Sequence, residues 1–243
     1  IQSILDTVLF TEKFAQPNLA LNHAAASLHD AFWKDTYNRN LKIQDVEIEV
    51  RLGKCPTTGR GAFQTNINEK QFNTIIASLQ GYSQWDKVTF TREVVGYFQT
   101  VDESVRNIVS EDGTSVITSK QKVMQADYLG ANLPFDFRLA INLELHLSDC
   151  HKYTLDHADR VVNRVRHSFS LGNVRYDLTR LVEKNGFVQY QVELELINLT
   201  TIQLKQDNAQ KLTLELQQRL TDLMNSLEPI RAFNIKLLRK RNF

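Results

Sequence analysis

The sequence predicts a mainly β protein with flanking helices, built as a closed eight-stranded antiparallel barrel with a charged interior. Three observations predict it. Two distant segments, Val46-Glu47-Ile48-Glu49-Val50-Arg51-Leu52 and Gln191-Val192-Glu193-Leu194-Glu195-Leu196, alternate charged with branched apolar residues. Several segments between them alternate in the same way and carry Arg and Glu near their centres. Other segments have helical spacing and apolar stripes that would cover the outside of such a barrel.

Strict alternation is the mark of a strand, because successive side chains point to opposite faces. Glu47, Glu49 and Arg51 therefore share one face of the first strand, and Gln191, Glu193 and Glu195 share one face of the last. Laid side by side, the two strands bring four carboxylates together. Like charges that close are costly without a cation between them. An oxygen-only donor set with no His or Cys selects a hard ion such as Mg²⁺ or Mn²⁺. For a single strand of this kind, a water-facing charged side is the commoner arrangement. The repetition of the pattern shifts the balance.

In chain order, residues 19–37 place Leu21, Ala24, Ala25, Leu28, Ala31 and Phe32 at helical spacing, with Asn18 as cap. The first glutamate strand follows. Residues 68–79 form a second helix, capped by Asn68 and striped by Phe72, Ile75, Ile76 and Leu79. Residues 88–99 are rich in Thr, Val, Phe and Tyr and read as a strand. Arg106 lies in the strand 103–110, and Lys120 and Lys122 share a face in 115–126. Arg138, Asn142 and Glu144 alternate with apolar residues over 137–147. Arg164, Arg166 and Ser168 do so next, followed by Arg175, Asp177 and Thr179. Glu111-Asp112-Gly113, Leu171-Gly172-Asn173 and Lys184-Asn185-Gly186 are turns. The last two make the three strands from Arg160 to Leu196 an antiparallel meander. Residues 208–226 form a final helix with Leu212, Leu216, Leu220 and Leu223, ending before Pro229.

These strands favour Arg over Lys, and the planar guanidinium fork suits phosphate. Eight strands can enclose a lumen of ligand size. With 243 residues, 42% hydrophobic, and no Gly/Ser- or Pro-rich linker, the chain reads as one domain over residues 1–243. The net charge of +1 excludes a global nucleic-acid field, so any polyanion site is local. Cys55 and Cys150 give no disulfide framework, and a reducing compartment is the default. No apolar run has the length of a membrane span, so no membrane partner is expected. The first residue is Ile1 rather than Met, which reads as a trimmed fragment and makes the lack of a signal peptide uninformative. The apolar segment 1–14, with Ile4, Leu5, Val8, Leu9 and Phe10, is unneeded by any strand and reads as a dimerisation arm before Pro17.

Other chemistry fails on spacing. Gly53–Gly61 (GKCPTTGRG) lacks the Gly-Lys-Ser/Thr ending and following helix of a phosphate loop. Four residues separate Cys55 from Arg60, one fewer than a cysteine phosphatase uses. His146, Asp149, Cys150 and His151 lack zinc spacing.

The ordered set of motifs resembles a known family. The opening Glu-x-Glu-x-Arg, the Arg175-Tyr176-Asp177-Leu178-Thr179 strand and the closing Glu-x-Glu strand are similar to those of the fungal type of metal-dependent mRNA 5′-triphosphatase, a triphosphate tunnel metalloenzyme. The resemblance spans roughly residues 40–200. It implies an eight-stranded tunnel that hydrolyses the γ-phosphate from the 5′-triphosphate end of nascent pre-mRNA, the first step of capping, and nucleoside triphosphates with Mn²⁺. By motif, it implies that Glu47, Glu49 and Glu195 hold Mg²⁺ or Mn²⁺ and that Glu193 orients the attacking water. Arg106, Lys122, Arg164 and Arg166 would contact the γ-phosphate, the register of the last three being fixed to within two residues. Glu144 and Asp136 fall at acidic positions of the family, and Arg175, Asp177 and Thr179 would support the tunnel wall. The resemblance further implies a nuclear homodimer that is delivered to the transcription machinery or to the capping guanylyltransferase. The chain departs from the family in having Arg51 where Lys is common and Gln191 where a third Glu is often found. The competing readings are another tunnel triphosphatase, acting on inorganic triphosphate or a nucleotide, and a non-enzymatic anion-binding barrel.

Overall fold

The computed structural model describes residues 43–56, 62–100, 103–129, 134–148, 151–198 and 206–226. Eight antiparallel strands close into a barrel. They are β1 (Val46–Gly53), β2 (Lys87–Gln99), β3 (Ser104–Ser110), β4 (Ser115–Tyr128), β5 (Asp136–His146), β6 (Arg160–Leu171), β7 (Val174–Glu183) and β8 (Val188–Leu196). Around the barrel the order is β1-β5-β4-β3-β2-β6-β7-β8. The meander from β6 to β8 is present as expected. Gly113, Gly172 and Gly186 each take a positive φ at the three hairpin turns, where a side chain would be strained.

Closure depends on a short seam. β1 and β8 meet through three residue pairs, Glu49 with Glu195, Val50 with Leu194, and Arg51 with Glu193. Beyond Gly53 the chain folds back, so that Lys54 bridges Gln64, and the returning segment takes over the edge of β8. Ile67 N donates to Tyr190 O, and Tyr190 N donates to Asn66 Oδ1. A Cβ on Gly53 would lie 2.1 Å from the Gln64 carbonyl oxygen, so this crossing tolerates only glycine.

The barrel is turned inside out relative to a small solvated sheet. Its main apolar core lies outside the strands. Ile48, Val50, Leu139, Ile141, Leu178, Val192 and Leu194 are buried there under two helices. The first, α1 (Glu69–Gln80), buries Phe72, Ile75 and Leu79. Its cap is the one the sequence predicts, with Asn68 Oδ1 accepting from Gln71 N at 2.8 Å. The second, α2 (Gln206–Ser226), buries Leu216, Leu220, Leu223 and Met224. On the opposite wall, Val88 and Phe90 of β2 remain exposed. Among the described residues, no helix is long and apolar enough to cross a membrane. The predicted helix at residues 19–37, the arm at residues 1–14 and Cys150 lie outside the described residues.

Candidate active site: a charged tunnel

Because the apolar residues of β1, β5, β7 and β8 lie in the outer core with the helices, their alternate residues face the lumen. The lumen is a cavity of about 540 Å³. Eight cationic side chains line it, Arg51, Arg106, Lys120, Arg138, Arg160, Arg164, Arg166 and Arg175, against six acidic ones, Asp45, Glu47, Glu49, Glu144, Glu193 and Glu195. Cations outnumber acids on the lining itself, and Asp127, Glu183, Glu93 and Asp177 pair with Arg138, Arg160, Arg164 and Arg166 from behind it.

The seam between β1 and β8 organises the carboxylates. Arg51 forks between them, with Nη2 3.0 Å from Glu49 Oε2 and Nε 2.8 Å from Glu193 Oε1. A lysine in its place could not span both in this planar way. Asn142 Nδ2 donates to Glu47 Oε2 at 2.9 Å and to Glu49 Oε1 at 3.0 Å. Lys120 Nζ pairs with Glu47 Oε2 and lies 3.0 Å from Glu49 Oε1.

The facing wall holds the arginines. Arg106 Nη2 is paired with Glu144 Oε2 at 2.8 Å, while Arg106 Nε is buried with no hydrogen-bond partner among the described residues. Arg164 Nε donates to Glu93 Oε2 at 2.6 Å. Arg166 Nε donates to Thr179 Oγ1 at 3.0 Å, and its Nη1 is 3.3 Å from Asp177 Oδ2. Arg175 bridges the buried Asp177 and Glu195, with Nη2 2.6 Å from Glu195 Oε2. Ser168 Oγ donates to Asp177 Oδ1 at 2.6 Å. Asp177 thus braces two arginines from beneath and keeps both forks in the lumen. A smaller apolar cluster, Val95, Val162 and Leu181 with Tyr97 and Ile108, forms part of the wall near the arginines.

The electrostatics divide the two glutamates of β8. Burial alone would raise Glu193, but Arg51, Arg166, Lys120 and Arg106 outweigh it and hold the carboxyl well below its usual range. Burial pushes Glu195 up to about 8, with Glu47, Asp177 and Glu193 adding to the rise against Arg175. Glu193 therefore sits among several cations, while Glu195 has Arg175 against burial and three neighbouring carboxylates. Burial and Arg166 press Arg164 below its ordinary value, against the pull of Glu93.

The structure gathers Glu47, Glu49, Arg106, Glu144, Arg164, Arg166, Arg175, Glu193 and Glu195 around one lumen, with Asp177 just behind. It corrects two expectations. Lys122 is exposed and does not line the cavity. The register of β4 on β5 shifts between Lys122 and Met124, which ends the simple alternation there, and Lys120 is the lysine that enters. Asp136 lies at the base of β5, where Oδ2 accepts from Cys55 N at 2.9 Å, so it anchors the loop after β1 instead of reaching the lumen. Sequence reading passed over Asn142, Arg138, Arg160 and Glu93 as site residues. Strand parity points to the first two, since each shares the inward face of β5 with Glu144.

Among the described residues, no three His, Cys, Asp or Glu side chains converge on one point. Glu195 turns to Arg175, and Glu47 and Glu49 turn to Lys120. The donor set nonetheless fits a hard divalent cation. Its donors are all oxygen, and Glu47 and Glu49 already hold a cation, the Lys120 ammonium, between them.

Fold and lumen together define a class: a closed barrel whose interior receives a polyphosphate, with acidic and basic walls facing each other. Residues 102–234 match the family described as "mRNA capping enzyme, beta chain", an mRNA triphosphatase family. The chain belongs to that family of mRNA 5′-triphosphatases, whose reaction is the first step of mRNA capping. The S. pombe RNA triphosphatase Pct1 has a similar fold, at 18% identity over 93% of this chain and 94% of that one, with a TM-score of 0.63. In complex with the Spt5 CTD, Pct1 matches over 93% of this chain and 95% of its own, again at 18% identity, with a TM-score of 0.64. The Mimivirus capping enzyme triphosphatase is 16% identical over 84% of this chain and 99% of that chain, with a TM-score of 0.50. No curated protein matches in sequence. The family match begins after β1, so Glu47 and Glu49 are tied to the site by the pairing of β1 with β5 and β8.

Proposed function

We propose that the chain removes the γ-phosphate of RNA 5′-triphosphate ends with the help of Mg²⁺ or Mn²⁺ held by Glu47, Glu49 and Glu195. The observation that carries this reading is the convergence of Arg106, Lys120, Arg164 and Arg166 on one lumen, with Arg106 Nε buried and without a hydrogen-bond partner among the described residues. Unsatisfied buried donors are costly, and an anionic oxygen satisfies them. Arg106, Lys120, Arg164 and Arg166 receive the terminal phosphate from several sides. Glu144 holds Arg106, and Asp177 and Thr179 hold Arg166 and Arg175 in place.

Hydrolysis spreads charge over the transferring phosphoryl oxygens, and preorganised cations stabilise it best where water is scarce. A bound divalent cation would supply further charge neutralisation on the phosphate oxygens. Glu193 stays ionised among four cations and so can accept a hydrogen bond from a water beside the phosphate. No covalent nucleophile is required.

The lining is charged far more than aromatic, so its contacts go to phosphate rather than to a base. Nucleoside triphosphates carry the same group and are expected to be hydrolysed as well. Family membership supports a nuclear site of action on nascent transcripts. The complex of Pct1 with the Spt5 CTD supports delivery to the transcription machinery. A homodimer and contact with the capping guanylyltransferase belong to the same reading, as does a single catalytic domain over residues 1–243 with residues 1–17 as an arm.

The test is phosphate release from γ-labelled triphosphate RNA and from ATP, with and without Mg²⁺ or Mn²⁺. Metal-dependent release from RNA is expected. Release from inorganic triphosphate alone would assign the tunnel to a different substrate, and no release from any of them would leave an anion-binding barrel.

A further inference from the structure

We propose that Lys120 occupies the seat of the divalent cation in the metal-free protein, and that the cation must displace it to bind. The inference rests on reading Glu47 and Glu49 as cation ligands. Lys120 reaches both carboxylates from β4, two strands from β1 in the barrel order. Its ammonium contacts Glu47 Oε2 and Glu49 Oε1, the same two oxygens to which Asn142 Nδ2 donates. Those oxygens therefore already converge on a single positive charge, held in place by a neutral amide.

Lys120 is well suited to yielding this seat. An ammonium is a compact point charge on a flexible four-carbon stem, unlike the planar fork of the neighbouring Arg51. Arg51 is fixed between Glu49 and Glu193, so it has two partners to lose. Lys120 side-chain exposure is 15%, so the group it faces is largely shielded from water and its charge is strongly felt. Two cations cannot share the seat without repulsion. Once displaced, the lysine stays in the lumen with Arg106 and Arg166, where it adds to the charge available to phosphate. The residue thus pairs with Glu47 and Glu49 before the cation binds and with phosphate after. Without it, the empty site would leave Glu47 with Asn142, and Glu49 with Asn142 and Arg51.

The experiment measures Mn²⁺ affinity without any substrate, from the paramagnetic resonance signal of free Mn²⁺. The full chain is compared with Lys120→Met, Lys120→Gln and Lys120→Arg. With the competing charge removed, the Met and Gln variants should bind Mn²⁺ roughly tenfold or more tightly than the unaltered chain. The Arg variant, which keeps the charge, should bind no more tightly. Melting in EDTA should show the Met variant less stable than the unaltered chain, with a larger gain on adding Mn²⁺. Adding Glu49→Gln to Lys120→Met should remove the gain in affinity, which places the ion at this seat. Equal or weaker Mn²⁺ binding by both Met and Gln variants, with normal binding by the unaltered chain, overturns the role of Lys120 and leaves the metal reading standing. Absence of Mn²⁺ binding in every form overturns both.

Discussion

Glu47, Glu49 and Glu195 each sit on the lumen face with different partners, so their removal should be read residue by residue. Replacing any one by Ala should lower triphosphatase activity by about 10²–10³ or more, the scale of losing one charge-stabilising contact. Circular dichroism should remain that of the folded barrel, and full activity in one variant would remove that residue from the cation's ligands. The arginines allow a sharper comparison. Arg106→Ala and Arg166→Ala should lose activity on the same scale, whereas Arg92→Ala should not, because Arg92 is exposed and only loosely paired with Glu111 at 3.9 Å. Lysine at position 106 or 166 should rescue only part, since the fork is lost. Equal rates for all three Ala variants would mean that the two arginines do not meet the substrate. Cys55 gives a separate test of its surroundings. Burial and the nearby Asp136 and Asp127 push its thiol up to about 12. A raised thiol holds fewer thiolates at any pH below that value, so with Cys150 replaced by Ser, Cys55 should react with iodoacetamide at pH 8 at least roughly tenfold more slowly than glutathione. Labelling as fast as glutathione would show that the loop after β1 is open.

The elements themselves were readable because each alternating run has one branched apolar face, and that face determines the register. Helix α1 was readable from its Asn68 cap and apolar stripe, and the hairpins from glycines that must take positive φ. What misled was local. A one-residue irregularity in β4, between Lys122 and Met124, changes which of the following side chains point inward, and the run of Lys122, Val123 and Met124 shows no Gly or Pro to announce it. Contacts between elements were hidden for a related reason, since a surface glutamate on a helix looks alike whatever it touches. Glu215 on α2 is such a case. Its Oε1 accepts from Asn173 N and its Oε2 from Asn173 Nδ2, both at 3.0 Å, which pins the β6–β7 turn to the helix. Glu215→Ala should leave that backbone donor without its partner and destabilise the fold by about 1–2 kcal/mol. Urea unfolding would measure it, and an unchanged midpoint would mean that water replaces the carboxylate at no cost.

At the scale of the whole molecule, the sequence could say that charged faces were too many and too rich in arginine for a solvated sheet, which implies an enclosed lumen. Beyond the β6–β8 meander and the pairing of β1 with β8, it could not say which strands are neighbours. The order around the barrel puts β5 beside β1 and β2 beside β6, and those pairings follow from how the sheet closes rather than from any local pattern. The wall of β1, β5, β7 and β8 is apolar outside and lies under α1 and α2. The β2 wall exposes Val88 and Phe90 yet carries charged Arg92 between its apolar residues. Neither helix accounts for residues 1–14, whose Ile1, Ile4, Leu5, Val8, Leu9 and Phe10 are too apolar to be left in water as a contiguous patch. The expected outcome is a homodimer held by this segment. Light scattering at micromolar concentration should give twice the 28.0 kDa chain mass for the full chain, and a form beginning at Gln16 should give the single-chain mass. A monomeric full chain would refute the dimer, and a truncated form that remains dimeric would place the contact elsewhere on the barrel. Because the lumen is built within one chain, the truncated form should keep its hydrolysis rate per barrel, and a loss of rate would mean that the arm also supports the tunnel.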